Sequence, residues 1–186
     1  MTTIDQLTPG TWTIDEAHTS VGFTARHLMI TKVRGQFEKV SGEVHVAEDR
    51  LASTVEVSID LASVDTGDSG RDEHLRSADF LDVENNPTMT YRSTSVRRDG
   101  DDFVLVGDLT IKGVTRPVEL ALEFDGTSPD PWGGVRAGFT ADGEINRKDW
   151  GLTWNVALES GGVLVSDKVK LNLEVQLVRA EVTASV

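Results

Sequence analysis

The strongest constraint in this chain is alternation. From Val169 the odd positions read Val169, Leu171, Leu173, Val175 and Leu177, and the even positions read Lys170, Asn172, Glu174 and Gln176. Successive side chains of a strand point to opposite faces, so this segment has one apolar face and one wetted face. Thr54–Asp60 repeats the pattern, with Val55, Val57 and Ile59 on one face and Thr54, Glu56 and Ser58 on the other. When most of a chain alternates, its apolar faces must enclose a shared interior. What fills that interior is the functional question.

The same reading predicts strands near residues 11–15, 21–27, 32–39, 42–46, 54–60, 88–96, 103–111, 118–124, 135–145, 150–158 and 169–178. Asp99-Gly100 marks a tight hairpin turn, and Trp132-Gly133-Gly134 opens another. No dozen-residue helical pattern separates the strands, so the pairing is expected to be antiparallel. One stretch breaks the rhythm. Ser69 followed by Asp72, with acids in the first turn, resembles a helix start and predicts a short helix over residues 71–78. Leu75 and Ala78 lie three apart there and could pack on the sheet. Pro87 and Asn85-Asn86 mark the turn that follows.

A chain of 186 residues suits one domain, residues 1–186, which should bury roughly 70% of its unfolded surface. Many antiparallel strands in one domain leave a sandwich or a closed barrel, and closure removes exposed edges. Several positions that read inward are small: Ala25, Gly35, Ala137, Ala141 and Gly143. They signal either room for a ligand or a taper and sharp strand bends.

The net charge of −13 argues against nucleic acid or an anionic membrane as a main partner, because phosphates demand clustered Lys and Arg. It also favours solubility. The absence of cysteine removes disulfides, thiolate metal sites and a Cys nucleophile. The opening MTTIDQLTPG lacks the apolar core of a signal peptide, so a cytoplasmic location is expected. No apolar run approaches the length of a membrane-spanning helix, so no stable membrane insertion is expected.

Catalytic signatures are scarce. The four histidines, His18, His27, His45 and His74, show no spacing typical of metal ligands, and no metal or cofactor is expected. His27 falls in phase with Val21, Phe23 and Ala25 and is expected to point inward, either as a buried neutral imidazole or as a contact to a ligand headgroup. His74 lies on the short helix near Arg71, where a surface histidine is the plainer reading. There is no G-x-S-x-G, no Walker A motif and no G-x-G-x-x-G opening a helix, and Ser160-Gly161-Gly162 reads as a loop. Arg147-Lys148-Asp149 precedes Trp150 and Trp154. An Arg beside two tryptophans could cap an apolar pocket and hold an anionic head, or it could staple a loop through an Arg–Asp pair.

The order of the remaining motifs resembles the YceI-like family. The match opens with Trp12-Thr13-Ile14-Asp15 and His18-Thr19-Ser20-Val21-Gly22-Phe23. Arg26-His27-Leu28 and Val33-Arg34-Gly35-Gln36-Phe37 follow. Thr66-Gly67, then Arg71-Asp72-Glu73-His74-Leu75 and Asp79-Phe80, form the most specific block. Pro87-Thr88-Met89, GDLTIKGVTRPV at 107–118, Arg147 and Gly151-Leu152 complete a match from Trp12 to Val178.

The resemblance implies an all-β, mainly antiparallel, extended lipocalin-like barrel with a helix beside it. It also implies an elongated apolar cavity for a polyisoprenoid lipid such as a prenyl quinone or polyprenyl phosphate, held without catalysis by a chain that is often dimeric. On this basis Phe23, Phe37, Val57, Ala137, Phe139 and Leu173 are expected to line the tail tunnel. His27, Arg71, His74, Arg147, Trp150 and Trp154 are expected at its mouth. Each buried CH₂ is worth roughly 0.8 kcal/mol, so about ten would supply about 8 kcal/mol before entropy costs. The negative charge disfavours a diphosphate head and leans the expectation to a neutral one, although salt screens that repulsion within about 8–10 Å. Two other readings stay open at this stage: an enzyme acting on a small apolar substrate at the barrel mouth, and a ligand-free interaction module with a filled core.

Overall fold

The computed structural model describes residues 3–159 and 162–180. Its strands are β1 (Gly10–Ile14), β2 (Ser20–His27), β3 (Thr31–Phe37), β4 (Val40–Val46), β5 (Thr54–Asp60), β6 (Val64–Asp65), β7 (Thr88–Asp99), β8 (Asp102–Ile111), β9 (Val114–Pro129), β10 (Val135–Asn146) and β11 (Lys168–Arg179). Among the described residues there is one α-helix, α1, which spans Ser69–Arg76.

All pairings are antiparallel, and the sheet closes on itself. The ring runs β1, β4, β5, β7, β8, β9, β10, β11 and returns to β1 through Ile14↔Leu177 and Trp12↔Arg179. β1 and β2 are two halves of one bent stave: β11 pairs with β2 at Leu171↔Phe23 and with β1 further along. β3 and β4 form the neighbouring stave in the same way, and β6 extends β5 to pair with β3 at Phe37↔Val64. The result is an up-and-down barrel of eight staves, which leaves no long open edge.

The turns follow local chemistry. Gly100 adopts φ 63° between β7 and β8, and Lys112-Gly113 adopts φ 52° and 73° in the two-residue hairpin between β8 and β9. Positive φ at both central positions is the type I′ conformation that matches strand twist. The segment 130–134 forms the turn around Trp132-Gly133-Gly134.

Three expectations are corrected. α1 starts two residues earlier than predicted and ends at Arg76, because Asp68 rather than Ser69 is its cap: the Asp68 carboxylate accepts from Arg71 N–H at 2.8 Å. Leu75 packs on the core as expected, but Ala78 lies beyond the helix and is exposed. Asp72, in the first turn as expected, is buried and accepts from the Thr66 backbone N–H and hydroxyl at 2.8 and 2.6 Å. The predicted strand at 150–158 is absent. Arg147–Trp150 instead form a 3₁₀ turn that Gly151 ends at φ 76°, and the chain continues as an irregular strap across one end of the barrel.

The interior divides into two apolar clusters. The smaller closes one end, here called the base, with Leu7, Trp12, Val46, Ala137, Phe139 and Leu177. The larger wraps the middle and the opposite end, where α1 and the strap lie, and it surrounds empty space.

Candidate binding cavity

The barrel holds a cavity of about 290 Å³. Every stave contributes inward-facing residues to it, among them Phe23, Phe37, Val57, Tyr91, Leu120 and Leu173. The wall is almost wholly apolar. Among the described residues Arg147 is the one charged residue in it, and Tyr91 and Thr19 carry the side-chain hydroxyls.

Aromatic rings lying on glycines keep the axis clear. Phe23 faces Gly35 across the β2–β3 pair, and a Cβ at Gly35 would collide with the Phe23 ring. A Cβ at Gly107 would lie 2.5 Å from Tyr91 Cζ. A Cβ at Gly143 would meet the Leu120 side chain at 2.7 Å. Each glycine lets a large side chain from a neighbouring strand lie against the backbone instead of projecting across the barrel. Gly35 and Gly143 therefore make room indirectly, by admitting a neighbour's side chain against the wall. Phe37 packs beside Phe23 with ring centroids 5.5 Å apart.

The Tyr91 hydroxyl donates to the Val118 carbonyl at 3.0 Å and lies 3.4 Å from that of Leu105. Burial pushes its phenol far above the usual tyrosine range, with Asp108 and Glu119 adding to the effect. Tyr91 is thus a neutral wall residue whose proton is already engaged. The alternation in β7 gave its inward parity; nothing in the sequence placed Gly107 beneath it.

Five of the six residues expected in the tail tunnel line the cavity: Phe23, Phe37, Val57, Phe139 and Leu173. Ala137 does not. It is 1% exposed in the base cluster, packed with Trp12 and Leu177, so a large residue there would disrupt the floor rather than fill the cavity.

The expected mouth residues are scattered. His27 keeps the unbroken register of β2 but is exposed, because it is the last residue of the strand before the hairpin. Arg71 is also exposed; its Nε–H donates to Thr66 Oγ1 at 2.7 Å and an Nη2 hydrogen to the Thr66 carbonyl at 2.8 Å, bracing the turn before α1. Trp150 is 2% exposed, but its indole N–H donates to the Leu109 carbonyl at 2.9 Å and it lies outside the cavity wall. His74 and Trp154 pack edge to face with centroids 4.6 Å apart, and Phe80 stacks against both at 5.1 and 5.2 Å. Phe80 itself lines the cavity, so the His74–Trp154 pair backs the wall from outside. His74 Nε2 also lies 2.8 Å from Asp79 Oδ2.

Arg147 is the one expected mouth residue in the cavity wall, and of its two expected roles it takes that of loop staple, through backbone carbonyls more than through an Arg–Asp pair. It is 4% exposed. Its Nε–H donates to the Ser166 carbonyl at 2.9 Å, and Nη1 donates to those of Leu152 and Trp154 at 2.6 and 2.9 Å. Nη2 reaches the Val165 carbonyl at 3.4 Å, with Asp167 Oδ1 at 3.8 Å. A guanidinium has five N–H donors, and here backbone carbonyls take nearly all of them. Burial pulls its pKa down from the usual arginine range, opposed by Asp167. Arg147 therefore pins both limbs of the strap and offers the cavity its aliphatic stem. Ser160 and Gly161 lie outside the described residues.

Among the described residues, no group of three or more His, Asp or Glu side chains is arranged to hold a metal ion. The arrangement is suited to enclosing an apolar group.

Comparison with known proteins agrees with this geometry. The YceI-like domain pattern matches residues 12–177. Protein YceI of Escherichia coli O17:K52:H18 is 46% identical over 136 residues, covering 73% of this chain and 71% of that protein. The crystal structure of the Campylobacter jejuni YCEI protein superposes with a TM-score of 0.71 at 32% identity, covering 90% of this chain and 96% of that one. A polyisoprenoid binding domain from Saccharophagus degradans shares the fold, with a TM-score of 0.67 at 16% identity over 91% of this chain and 98% of that one. With its eight-stave barrel and its matching sequence from end to end of the sheet, the chain belongs to the YceI-like family.

Proposed function

We propose that this protein binds a polyisoprenoid lipid in the barrel and carries or stores it without chemical change. The observation that carries the reading is the apolar cavity itself, kept open by rings packed onto glycines rather than filled by them. A dry apolar void of this size forfeits packing contacts, so an apolar guest restores them. The polyisoprenoid binding domain that shares this fold supports the choice of guest.

Size and charge refine it. A water-sized group takes ~30 Å³, so 290 Å³ accommodates about ten tail atoms, or about two isoprene units. Their burial is worth about 8 kcal/mol before association costs of about 4 kcal/mol or more, so binding tighter than millimolar needs burial of tail beyond these units. A longer tail extends beyond the enclosed volume. Arg147 is committed to backbone carbonyls and, among the described residues, no second charged group faces the cavity, so that lining offers no free cation to a phosphate. With a net charge of −13, this favours a neutral head such as that of a prenyl quinone.

Displacement of an apolar fluorescent probe tests the reading. A prenyl quinone is expected to displace the probe at lower concentration than a prenyl diphosphate of equal tail length, and to be recovered unaltered. Stronger displacement by the diphosphate overturns the neutral head. Failure of both overturns the lipid.

A further inference from the structure

The hairpin joining β2 to β3 carries an apolar tip that the barrel does not bury. Leu28, Met29 and Ile30 are 40%, 53% and 77% exposed. The turn is type I′: Leu28 and Met29 have φ of 54° and 58°, and Ile30 N–H donates to the His27 carbonyl at 3.1 Å. Lys112-Gly113 makes the same turn at the same end of the barrel with a glycine in its second place. Two bulky apolar residues in the left-handed region are costly there, and such outliers concentrate at functional sites. The tip stands at the strapped end of the cavity, since Leu28 N–H donates to the Leu164 carbonyl and His27 bridges to Val165, a cavity-lining residue.

The stem of this hairpin reverses the charge of the whole chain. Residues 24–36 contain Arg26, Lys32 and Arg34 and no acid, in a protein of net charge −13. Arg26 lies opposite Lys32, while Arg34 and Lys170 flank Thr24 in one cross-strand row, so all four cations share the outer face. Like charges directly opposite are unfavourable in a sheet. Among the described residues none of the four pairs with a carboxylate, whereas Lys148 and Lys168 beside them pair with Asp167 and Glu144. Arg26 donates to the Ile30 carbonyl, which holds it beside the tip.

We propose that this hairpin docks the barrel onto an anionic lipid bilayer. Leu28, Met29 and Ile30 enter the boundary between headgroups and acyl chains, and Arg26, Lys32, Arg34 and Lys170 meet the lipid phosphates. The helix side of the same end carries Asp68, Glu73 and Asp79, so the barrel contacts the surface tilted onto the β2–β3 corner. The net negative charge that opposes an anionic surface at long range is screened beyond about 8–10 Å, within which the local patch governs.

Co-sedimentation of the full chain with prenyl-free vesicles tests this separately from the cavity's ligand. Vesicles of phosphatidylglycerol and phosphatidylcholine are expected to bind, and phosphatidylcholine alone to bind about tenfold or more weakly, with the difference erased by added salt. The triple variant Leu28→Asn, Met29→Gly, Ile30→Thr restores preferred type I′ residues, so its Tm is expected to hold or rise while vesicle binding is lost. Lys32→Glu with Arg34→Glu, on the exposed outer face, is expected to lower vesicle affinity about tenfold or more. Absence of binding to either vesicle overturns the proposal, as does undiminished binding by the triple variant. Conversion of a dimer to a monomer by the triple variant, without vesicle binding, also overturns it and assigns the tip to a second copy of the chain.

Discussion

At the base of the barrel, Trp12 is fully buried and its indole N–H donates to the Thr8 carbonyl at 3.0 Å, while Leu7, Val46, Ala137 and Leu177 close around it. Half-way along, Phe23 and Tyr91 lie against the wall on Gly35 and Gly107 and leave the axis empty. Both regions are built from the same alternating strands. Inward parity alone therefore does not decide between a plug and a cavity. What decides is where each large side chain meets a glycine on a neighbouring strand. Phe23 and Tyr91, each placed on a glycine, become part of the wall; Trp12, with no glycine against it, fills the floor.

The contrast is sharpest under truncation. Trp12→Ala is expected to cost about 3–5 kcal/mol in denaturant unfolding, because a packed floor collapses poorly around a deleted ring. Leu173→Ala in the cavity wall is expected to cost no more than about 2 kcal/mol in ligand-free protein, since part of the leucine faces empty space. Equal costs would show that the middle is as filled as the base.

The strapped end depends on one guanidinium. Arg147→Met leaves the carbonyls of Leu152, Trp154, Val165 and Ser166 without their donor, and a loss of about 3 kcal/mol is expected. Amide exchange should rise in residues 152–159 and 162–166 and stay low in β1 and β11 at the base. Exchange rising uniformly would mean that the two ends do not open separately. Tyr91→Phe removes a hydroxyl bonded to a wall carbonyl and is expected to cost about 1 kcal/mol while leaving the cavity lining apolar.

The smallest effect is the acid sensitivity of the base. Arg136 bridges Asp15 and Asp130 beside the floor. Burial raises the Asp15 pKa, but hydrogen bonds from His18 and Arg136 outweigh it and hold the carboxyl below its ordinary value of 3.8. At Asp130 the bond from Trp132 N–H acts first and Arg136 adds to it. Carboxyls depressed in the folded state stabilise it above their unfolded pKa, and that stabilisation is lost as pH falls through the folded values. Unfolding scans of the wild type below about pH 4 should therefore lose stability faster than those of Arg136→Met. Parallel slopes would remove Arg136 from this role.

Much of this architecture was legible from side-chain parity. The alternation of β5, β8, β10 and β11 located strands and their inward residues, and Asp99-Gly100 located a turn. The family motifs supplied the barrel. Three features were not legible, for physical reasons. Trp150, Leu152 and Trp154 alternate like a strand, yet Gly151 turns the backbone left-handed and Arg147 gathers the carbonyls that a sheet neighbour would otherwise take. His27 follows the inward phase of Val21 and Phe23, but β2 ends there at a hairpin. Ala137 and Ala141 look alike in sequence, but Ala137 lies across from Leu177 beside Trp12, and Ala141 across from Leu173 beside the cavity. Cross-strand register settles the last of these, and a single sequence does not print it.

Native mass spectrometry of freshly purified protein, wild type beside Ala141→Trp, tests the cavity most directly. Ala141 is 3% exposed and faces the void, so an indole there occupies the guest's place without touching the base. The wild type is expected to carry an added mass that organic extraction releases as a prenyl-tailed lipid, and Ala141→Trp is expected to fly as bare polypeptide. A wild type that flies bare and takes up no prenyl quinone offered in excess, or an Ala141→Trp variant that retains the same guest, would contradict a lipid site in the middle of the barrel.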